Sequence, residues 1–453
     1  MGSNLRSRLK RIREMGRDKP APTGSPPPAA PAGTGPEALP ERAGLGPDWT
    51  QAGYLTMKRT LLLEAPPLAP AFPPALGIVV PDLLRYTPGK AAPGDLLFFD
   101  LETTGLSSSA GIRAFLAAFG RLVSAAGETK LEVAQYLLLD YPGEKDFLEA
   151  VLAEFRPGKN GKAPLTVTYN GKTFDAQVLK TQCLMWGKPL PVFFHADLLH
   201  PARRLWKRVL PSCSQGEIET AVLGLDRTGD TPGAMAPDIW FAFLKTGETT
   251  ALRGMCDHNV KDIFGLTRLF SALVRIAEDP LGASGVYAYD VESLALHWRK
   301  ALCRVCRPNR EQGKGPLLEG EIPDTGKALL RAAAGQGRPL AALALARDLF
   351  RAGEHEAGRG HLRRILEGRH SPRITALACR ALAIDAERRL RDPALALSYA
   401  EAGLTPDTPL SLREDLTRRR DRLAEKIKHT SPQSLPRASG FLGIKPSITN
   451  KNE

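Results

Sequence analysis

A short apolar run that ends in two acids constrains the fold more than any other feature of this chain. Leu96 to Phe99 are followed by Asp100 and Glu102, and the sequence Thr-Thr-Gly ends the run. Consecutive apolar residues bounded by turn formers predict a buried strand. Side chains two positions apart on a strand project from the same face, so this strand presents both carboxylates together.

Two carboxylates on one strand face indicate either a solvated strand end or a cation site. Neighbouring anions repel each other unless a cation neutralises them, and Mg²⁺ and Mn²⁺ are hard ions that bind carboxylate oxygens. For an Asp-x-Glu pattern taken alone, the solvated strand end is the commoner outcome. The surrounding sequence therefore has to decide between the two interpretations.

Strand and helix patterns alternate after this run. Such alternation is typical of a mixed α/β sheet flanked by helices. The predicted strands are Phe115–Val123, Leu131–Asp140, Leu165–Tyr169 and Phe193–Leu198, and the predicted helices are Lys145–Phe155, Phe174–Trp186 and Met255–Ile276.

Two more acids lie at informative positions in the same stretch. Asp175 falls in the first turn of a predicted helix, where the helix dipole favours its ionised form. His258 and Asp262 lie four apart, and therefore on one face of the last helix. Taken singly, the first is ordinary helix capping and the second an ordinary surface hydrogen bond.

Together these segments resemble the motifs of one nuclease family. Phe-Asp-Leu-Glu-Thr-Thr-Gly-Leu at 99–106 resembles the first motif of the DEDD exonucleases, and 168–175 resembles their Asn-x-x-x-Phe-Asp element. Most of 95–275 is similar to the YprB-type ribonuclease H-like branch of that superfamily, including His-Ala-Asp-Leu-Leu-His-Pro-Ala-Arg-Arg-Leu-Trp-Lys-Arg from residue 195. The resemblance implies a ribonuclease H-like fold and 3′–5′ exonuclease activity by a two-metal-ion mechanism with Mg²⁺ or Mn²⁺.

The resemblance also implies roles for individual residues. His258 is the expected general base, although it has the four-residue spacing from Asp262 that a tyrosine has in the Tyr-type enzymes; the His-type enzymes use five. A basic group on one helical turn is expected to hold phosphates. The expected metal ligands are Asp100, Glu102, Asp175 and Asp262, and the expected substrate-binding residues are Thr104, Gly105, Asn170, Arg203, Arg204, Lys207 and Arg208.

Beyond about residue 324 the composition shifts to Ala, Leu and Arg at helical spacing. Paired helices with alternating small and large apolar residues predict a tetratricopeptide-like all-α repeat, a surface for a possible protein partner. The predicted helices are Pro339–Phe350, Glu354–Leu366, Pro372–Leu390, Pro393–Leu404 and Leu410–Ile427.

The chain is thus predicted to contain two folded domains and irregular segments. The N-terminal helix is basic and amphipathic; nucleic acid, an anionic lipid surface, a partner protein or solvent alone remain open for it. In order, we expect this helix at 1–18, a Pro/Gly-rich linker at 19–48, an extension at 49–94, the ribonuclease H-like domain at 95–276, a connecting segment at 277–323, helical repeats at 324–428 and a disordered tail at 429–453.

Charge and cysteine content set the broad class. The chain has 62 Lys and Arg against 49 Asp and Glu, a net charge of +13 that favours nucleic-acid partners. Its six cysteines are sparse and no apolar stretch is long enough to span a membrane, so we expect a cytoplasmic protein. Cys303 and Cys306 form a lone CxxC; structural zinc requires four ligands, so two helix cysteines are the simpler interpretation.

Two alternative functions remain open at this stage. The chain could be a non-catalytic scaffold that binds nucleic acid and recruits a protein through its helical repeats. It could also be a structure-specific endonuclease that uses the same metals. The nuclease interpretation predicts that Asp100, Glu102, Asp175 and Asp262 converge on one cleft and that His258 faces it.

Overall fold

The computed structural model describes residues 44–85, 92–105, 111–157, 161–305 and 322–429. The predicted N-terminal helix, most of the predicted linker, most of the predicted tail and Cys306 lie outside these residues. No helix among the described residues is both long enough and apolar enough to cross a membrane.

Within the described residues, the strands form one seven-stranded mixed sheet in the order β1-β2-β5-β4-β3-β6-β7. The apolar run that ends in Asp100 and Glu102 is an interior strand, antiparallel to β4 and parallel to β6. The strands are β1 (Thr50–Gly53), β2 (Thr56–Glu64), β3 (Leu96–Thr103), β4 (Ala114–Ala125), β5 (Glu128–Leu138), β6 (Leu165–Thr168) and β7 (Phe194–Asp197).

The sheet is wider than the sequence predicted. β1 and β2 lie in the segment 49–94, where the sequence pattern predicted no strand, and β2 pairs with β5 along its whole length. Much of β2 is half-exposed, and Leu62 is 59% exposed. The strand therefore lacks the buried apolar run that identified β3, and pairing with β5 rather than hydrophobic pattern defines it.

Helices cover both faces of the sheet and continue beyond it. The sheet is flanked by α1 (Leu76–Val79), α2 (Glu144–Ala153), α3 (Asp175–Met185), α4 (Leu199–Trp206), α5 (Gln215–Ala221), α6 (Ala236–Thr246), α7 (Thr250–Glu278) and α8 (Gly282–Tyr287). There follow α9 (Val291–Val305), α10 (Ile322–Gly335), α11 (Pro339–Ala352), α12 (His355–Glu367), α13 (Pro372–Asp385), α14 (Pro393–Ala402) and α15 (Leu410–Lys428). This arrangement confirms the predicted fold class, an α/β domain with a mixed sheet followed by an all-α region.

Successive side chains of β3 point to opposite faces of the sheet and enter two different core clusters. Leu96 and Phe98 point into a cluster that contains Ile263 and Phe270 of α7. Leu97 and Phe99 point into the opposite cluster, where Phe115 stacks on Trp240 with ring centroids 5.2 Å apart. Asp100 and Glu102 continue the face of Phe98, so the long helix α7 lies over both acids.

In the C-terminal region, each helix from α10 to α15 packs against the next helix in the sequence. The predicted helix Pro372–Leu390 is divided, because α13 ends at Asp385 and a π-helical turn continues it from Ala386 to Leu390. The tetratricopeptide-like character of these helices stays a prediction.

Gly120 of β4 allows α7 to approach the sheet. A Cβ atom there would lie 2.6 Å from Cγ2 of Ile263 and 3.2 Å from Cβ of Phe98. We therefore expect Gly120→Ala to lower the free energy of unfolding by about 1–3 kcal/mol, the usual cost of overpacking. Urea denaturation of the full chain measures it. Gly94→Ala is the matched control, because nothing lies within 4 Å of a Cβ at that position. Equal losses in both variants would contradict the close packing described here.

Candidate metal centre

The end of β3 is open on one side. β6 pairs with β3 only from Leu96 to Phe98, so the backbone beyond Phe98 has no strand partner at that edge. The Asp175 carboxyl fills the gap and accepts a hydrogen bond from the backbone N–H of Leu101. Asp175 is thereby held beside Asp100 and Glu102, although it lies more than seventy residues away in sequence.

A tight turn after β6 aims Asp175 at this position. Asn170 has a φ of 64°, a left-handed conformation that asparagine tolerates. Asp197, buried at the end of β7, accepts hydrogen bonds from the backbone N–H groups of Asn170 at 2.9 Å and Lys172 at 3.1 Å. At Gly171 a Cβ would lie 2.5 Å from Oγ1 of Thr168, so no larger residue fits the turn.

Helix α7 brings the remaining predicted residues to the same place. Nε2 of His258 lies 3.2 Å from Oδ2 of Asp262 and 4.0 Å from Oε1 of Glu102. Glu102, His258 and Asp262 each offer one ligand atom within 4.8 Å of the others, a spacing that suits a metal ion. The structure thus brings the five predicted catalytic side chains together around one end of β3.

Burial and crowding raise the pKa values of three of the acids. Burial, and then the charges of Asp262, Asp175 and Glu102, raise the pKa of Asp100 well above its usual range. Burial and the charge of Asp262 raise the pKa of Glu102 to about 8. Burial also raises the pKa of Asp175 to about 7, against the hydrogen bonds that it accepts from the backbone. Near neutral pH the ionised cluster is therefore unfavourable unless a cation offsets the repulsion.

A buried polar chain that the sequence analysis missed supports Asp100. Asn259 donates from Nδ2 to Oδ2 of Asp100 at 2.7 Å and accepts from Nε2 of Gln135 at 2.9 Å. Oε1 of Gln135 accepts in turn from Nε of Arg59, whose guanidinium lies 5.1 Å from the centroid of the Trp49 ring. Strands β2 and β5 are thereby connected to the acid cluster. Asn259 directly follows His258, but nothing in the sequence identified its partner in β5.

Arg227 is the second feature that the sequence did not reveal. Its guanidinium contacts the carboxylates of Asp262, Glu219 and Asp230, with 2.6 Å between Nη1 and Oδ2 of Asp230. Burial raises the pKa of Glu219 to about 7 despite the charge of Arg227. Arg227 therefore neutralises part of the cluster from the side of α5.

Asp230 holds the other ring nitrogen of His258, with 2.9 Å between Nδ1 and Oδ2. Burial alone would raise the pKa of Asp230, but hydrogen bonds from Arg227 and His258 lower it to about 2. Burial alone would lower the pKa of His258, but Asp262, Asp230 and Glu102 raise it to about 9. Nε2 of His258 is left facing the acids.

The predicted substrate-binding residues of the β3 turn also have intramolecular roles. Oγ1 of Thr104 accepts a hydrogen bond from the backbone N–H of Arg113 at 3.0 Å. Gly105 does not adopt a left-handed conformation. A Cβ at Gly105 would lie 3.0 Å from Cδ1 of Ile112, so a larger residue there would require the Ile112 side chain to shift.

The structure divides the predicted basic group, and it gives Asn170 a role in the turn. Oδ1 of Asn170 accepts a hydrogen bond from the Thr173 hydroxyl at 2.7 Å. Arg204 donates to the carbonyl of Val79, and Arg208 pairs with Asp290 and Glu292. Arg203 and Lys207 are exposed near Cys213, whereas Arg208 is exposed but paired with acids.

Comparison with known proteins agrees with this geometry over part of the chain. Residues 97–274 match the family model of the RNase H superfamily. The chain is also 38% identical over 179 residues to the uncharacterized protein YprB of Bacillus subtilis (strain 168). That alignment covers 39% of this chain and 41% of the relative, so the chain matches less than half of the relative's length. Residues 97–274, which carry all four candidate metal ligands and His258, therefore form an RNase H superfamily domain.

Proposed function

We propose that this protein is a metal-dependent nuclease that hydrolyses phosphodiester bonds, acting as a 3′–5′ exonuclease. One observation carries the proposal. Four carboxylates from β3, the start of α3 and the middle of α7 are gathered at one end of the sheet, at a cost in repulsion that a structural role does not explain. The RNase H superfamily match supports a nuclease-type activity.

The donor set suits Mg²⁺ or Mn²⁺. Asp100, Glu102 and Asp262 offer hard oxygen ligands, with Asp175 beside them, and among the described residues the group of possible ligands includes no thiol and no second histidine. Asn259 occupies one oxygen of Asp100 and leaves the other available. When bound, two such ions would supply an activated water and stabilise the leaving 3′ oxygen.

The side chains around His258 determine which of its nitrogens accepts a proton. Asp230 holds Nδ1 of His258, so Nε2 is the atom that accepts a proton from the attacking water. The charges of Asp262 and Glu102 keep Nε2 protonated in the absence of a cation. Once that charge is neutralised, Nε2 becomes free to act as a base near neutral pH. The exposed Arg203 and Lys207 are the residues that we assign to phosphate contacts.

A second candidate is a non-catalytic scaffold that binds nucleic acid. The contacts of Arg227 with Asp262 and of His258 with Asp262 favour it, because they neutralise part of the cluster without any metal. A scaffold would retain nucleic-acid binding but would not cleave.

End-labelled substrates separate these functions. Purified full chain is incubated with Mn²⁺ or Mg²⁺ and single- or double-stranded DNA or RNA carrying a label at either end. We expect mononucleotide release from the 3′ end that EDTA stops. Internal fragments would indicate an endonuclease, and binding without cleavage would support the scaffold.

Asp100→Asn tests the acids directly. We expect it to reduce Mn²⁺-dependent hydrolysis by at least about 100-fold, since it removes a charged ligand shared by the metal site. Without divalent cations its thermal midpoint should equal or exceed that of the wild type, because Asn keeps an oxygen for Asn259 and removes repulsion. Asp324→Asn is the control, because Asp324 is 78% exposed at its side chain and distant in the chain. Retained cleavage by Asp100→Asn would exclude this metal site.

The pH dependence of stability tests the same crowding. The pKa of Glu102 is about 8 in the folded state, above the ordinary value of about 4.3. The folded state therefore holds more protons than the unfolded state between these values, so stability falls as the pH rises through this window. In EDTA, the thermal midpoint of Glu102→Gln should equal that of the wild type near pH 4. At pH 8 the midpoint of the variant should be higher than that of the wild type. Added Mn²⁺ should raise the wild-type midpoint more at pH 8 than at pH 5. A cation effect that does not change with pH would contradict the account.

A further inference from the structure

The C-terminal helices enclose a groove that the proposed nuclease activity does not use. It has a volume of about 490 Å³ and is formed mainly by α11 and α13, with α9 and α12 contributing at its sides. Leu340, Leu343, Ala344 and Phe350 line it from α11, and Leu377, Ala381 and Ile384 line it from α13. Positions 340, 343, 347 and 350 on α11, and 377, 381 and 384 on α13, follow one another at intervals of three or four residues, so each helix presents one face to the groove.

The rim of the groove carries more arginines than acids. Among the described residues, five arginines and one acid line it: Arg299, Arg347, Arg351, Arg380 and Arg389 against Asp385. Four of the arginines pair with acids, Arg299 and Arg351 with Asp348, Arg380 with Asp415 and Arg389 with the buried Asp385. Arg347 has no hydrogen-bond or ion-pair partner among the residues that the structure describes. The groove therefore combines an apolar floor with positive charge that is not fully neutralised.

The groove is long enough for a peptide segment. The lining residues of α11 run from Leu340 to Arg351, which corresponds to about 16 Å at 1.5 Å per residue. Phe350 is covered by the Arg389 guanidinium, 5.4 Å from its ring centroid, and is therefore not free to stack on a nucleic-acid base. Leu340, at 37% exposure, leaves apolar surface at one end of the groove.

We propose that this groove binds an acidic amphipathic segment of a partner protein, with apolar side chains on the floor and carboxylates at the arginine rim. Charge complementarity identifies the type of segment that would bind. The arginines at the rim attract carboxylates, and the floor of leucine, alanine and isoleucine contacts apolar side chains. The site is independent of the acid cluster at β3, so Asp100→Asn should bind the same segment as the wild type.

A random peptide library selected on the immobilised full chain tests the proposal. We expect enrichment of sequences in which Asp or Glu flank Leu, Ile or Phe. The most enriched peptide, labelled with fluorescein, should bind Arg347→Glu at least about tenfold more weakly than the wild type, and Leu340→Ser should also weaken it. Arg331→Glu is the matched control, because Arg331 is exposed on α10 and does not line the groove. Circular dichroism of each variant separates lost binding from lost folding.

Several outcomes would overturn the proposal. Enrichment of sequences without acidic residues, or equal binding by the folded Arg347→Glu variant, would exclude an acidic segment. If labelled single-stranded oligonucleotide bound the wild type and both Arg347→Glu and Leu340→Ser lost it, the groove would be a nucleic-acid site. If the wild type sedimented as a dimer and Leu340→Ser as a monomer, a second copy of the chain would be its occupant.

Discussion

Mutual repulsion among buried carboxylates is the constraint on which the ribonuclease H-like domain depends. Burial, and then the charges of neighbouring acids in this cluster, raise the pKa values of Asp100 and Glu102. Each of the three aspartates is held by a donor from a different part of the chain: Asn259 for Asp100, the N–H of Leu101 for Asp175, and Arg227 for Asp262. The fold therefore keeps the acids in place in the absence of a cation, which is the preorganisation that a metal site requires.

This dependence gives the N-terminal strands a role in the site. Arg59 on β2 donates to Gln135 on β5, which donates to Asn259, which donates to Asp100. Gln135 and Asn259 are fully buried, so a missing partner would leave an unsatisfied polar group in the core. β2 is thus connected to the acid cluster through two buried amides, although it lies two strands away from β4 and three from β3.

The elements of this arrangement that depend on local sequence pattern could be predicted from the sequence. The run before Asp100 identified β3 and placed Asp100 and Glu102 on the face of Phe98, as the structure has them. Local sequence pattern did not predict β2, because pairing with β5 defines that strand. It did not predict the contacts of Arg227 and Asn259 either, because their partners lie 35 and 159 residues away. The basic group on α4 shows the same limit, because Arg208 has acidic partners more than eighty residues further along the chain.

Anomalous diffraction from crystals soaked in Mn²⁺ tests whether the four carboxylates hold divalent cations. We expect manganese peaks between Asp100, Glu102 and Asp262, with Asp175 at the same cluster. Absence of manganese there in crystals that bind it elsewhere would contradict the account. So would occupation of the space by the side chains of Arg227 and His258 at saturating Mn²⁺.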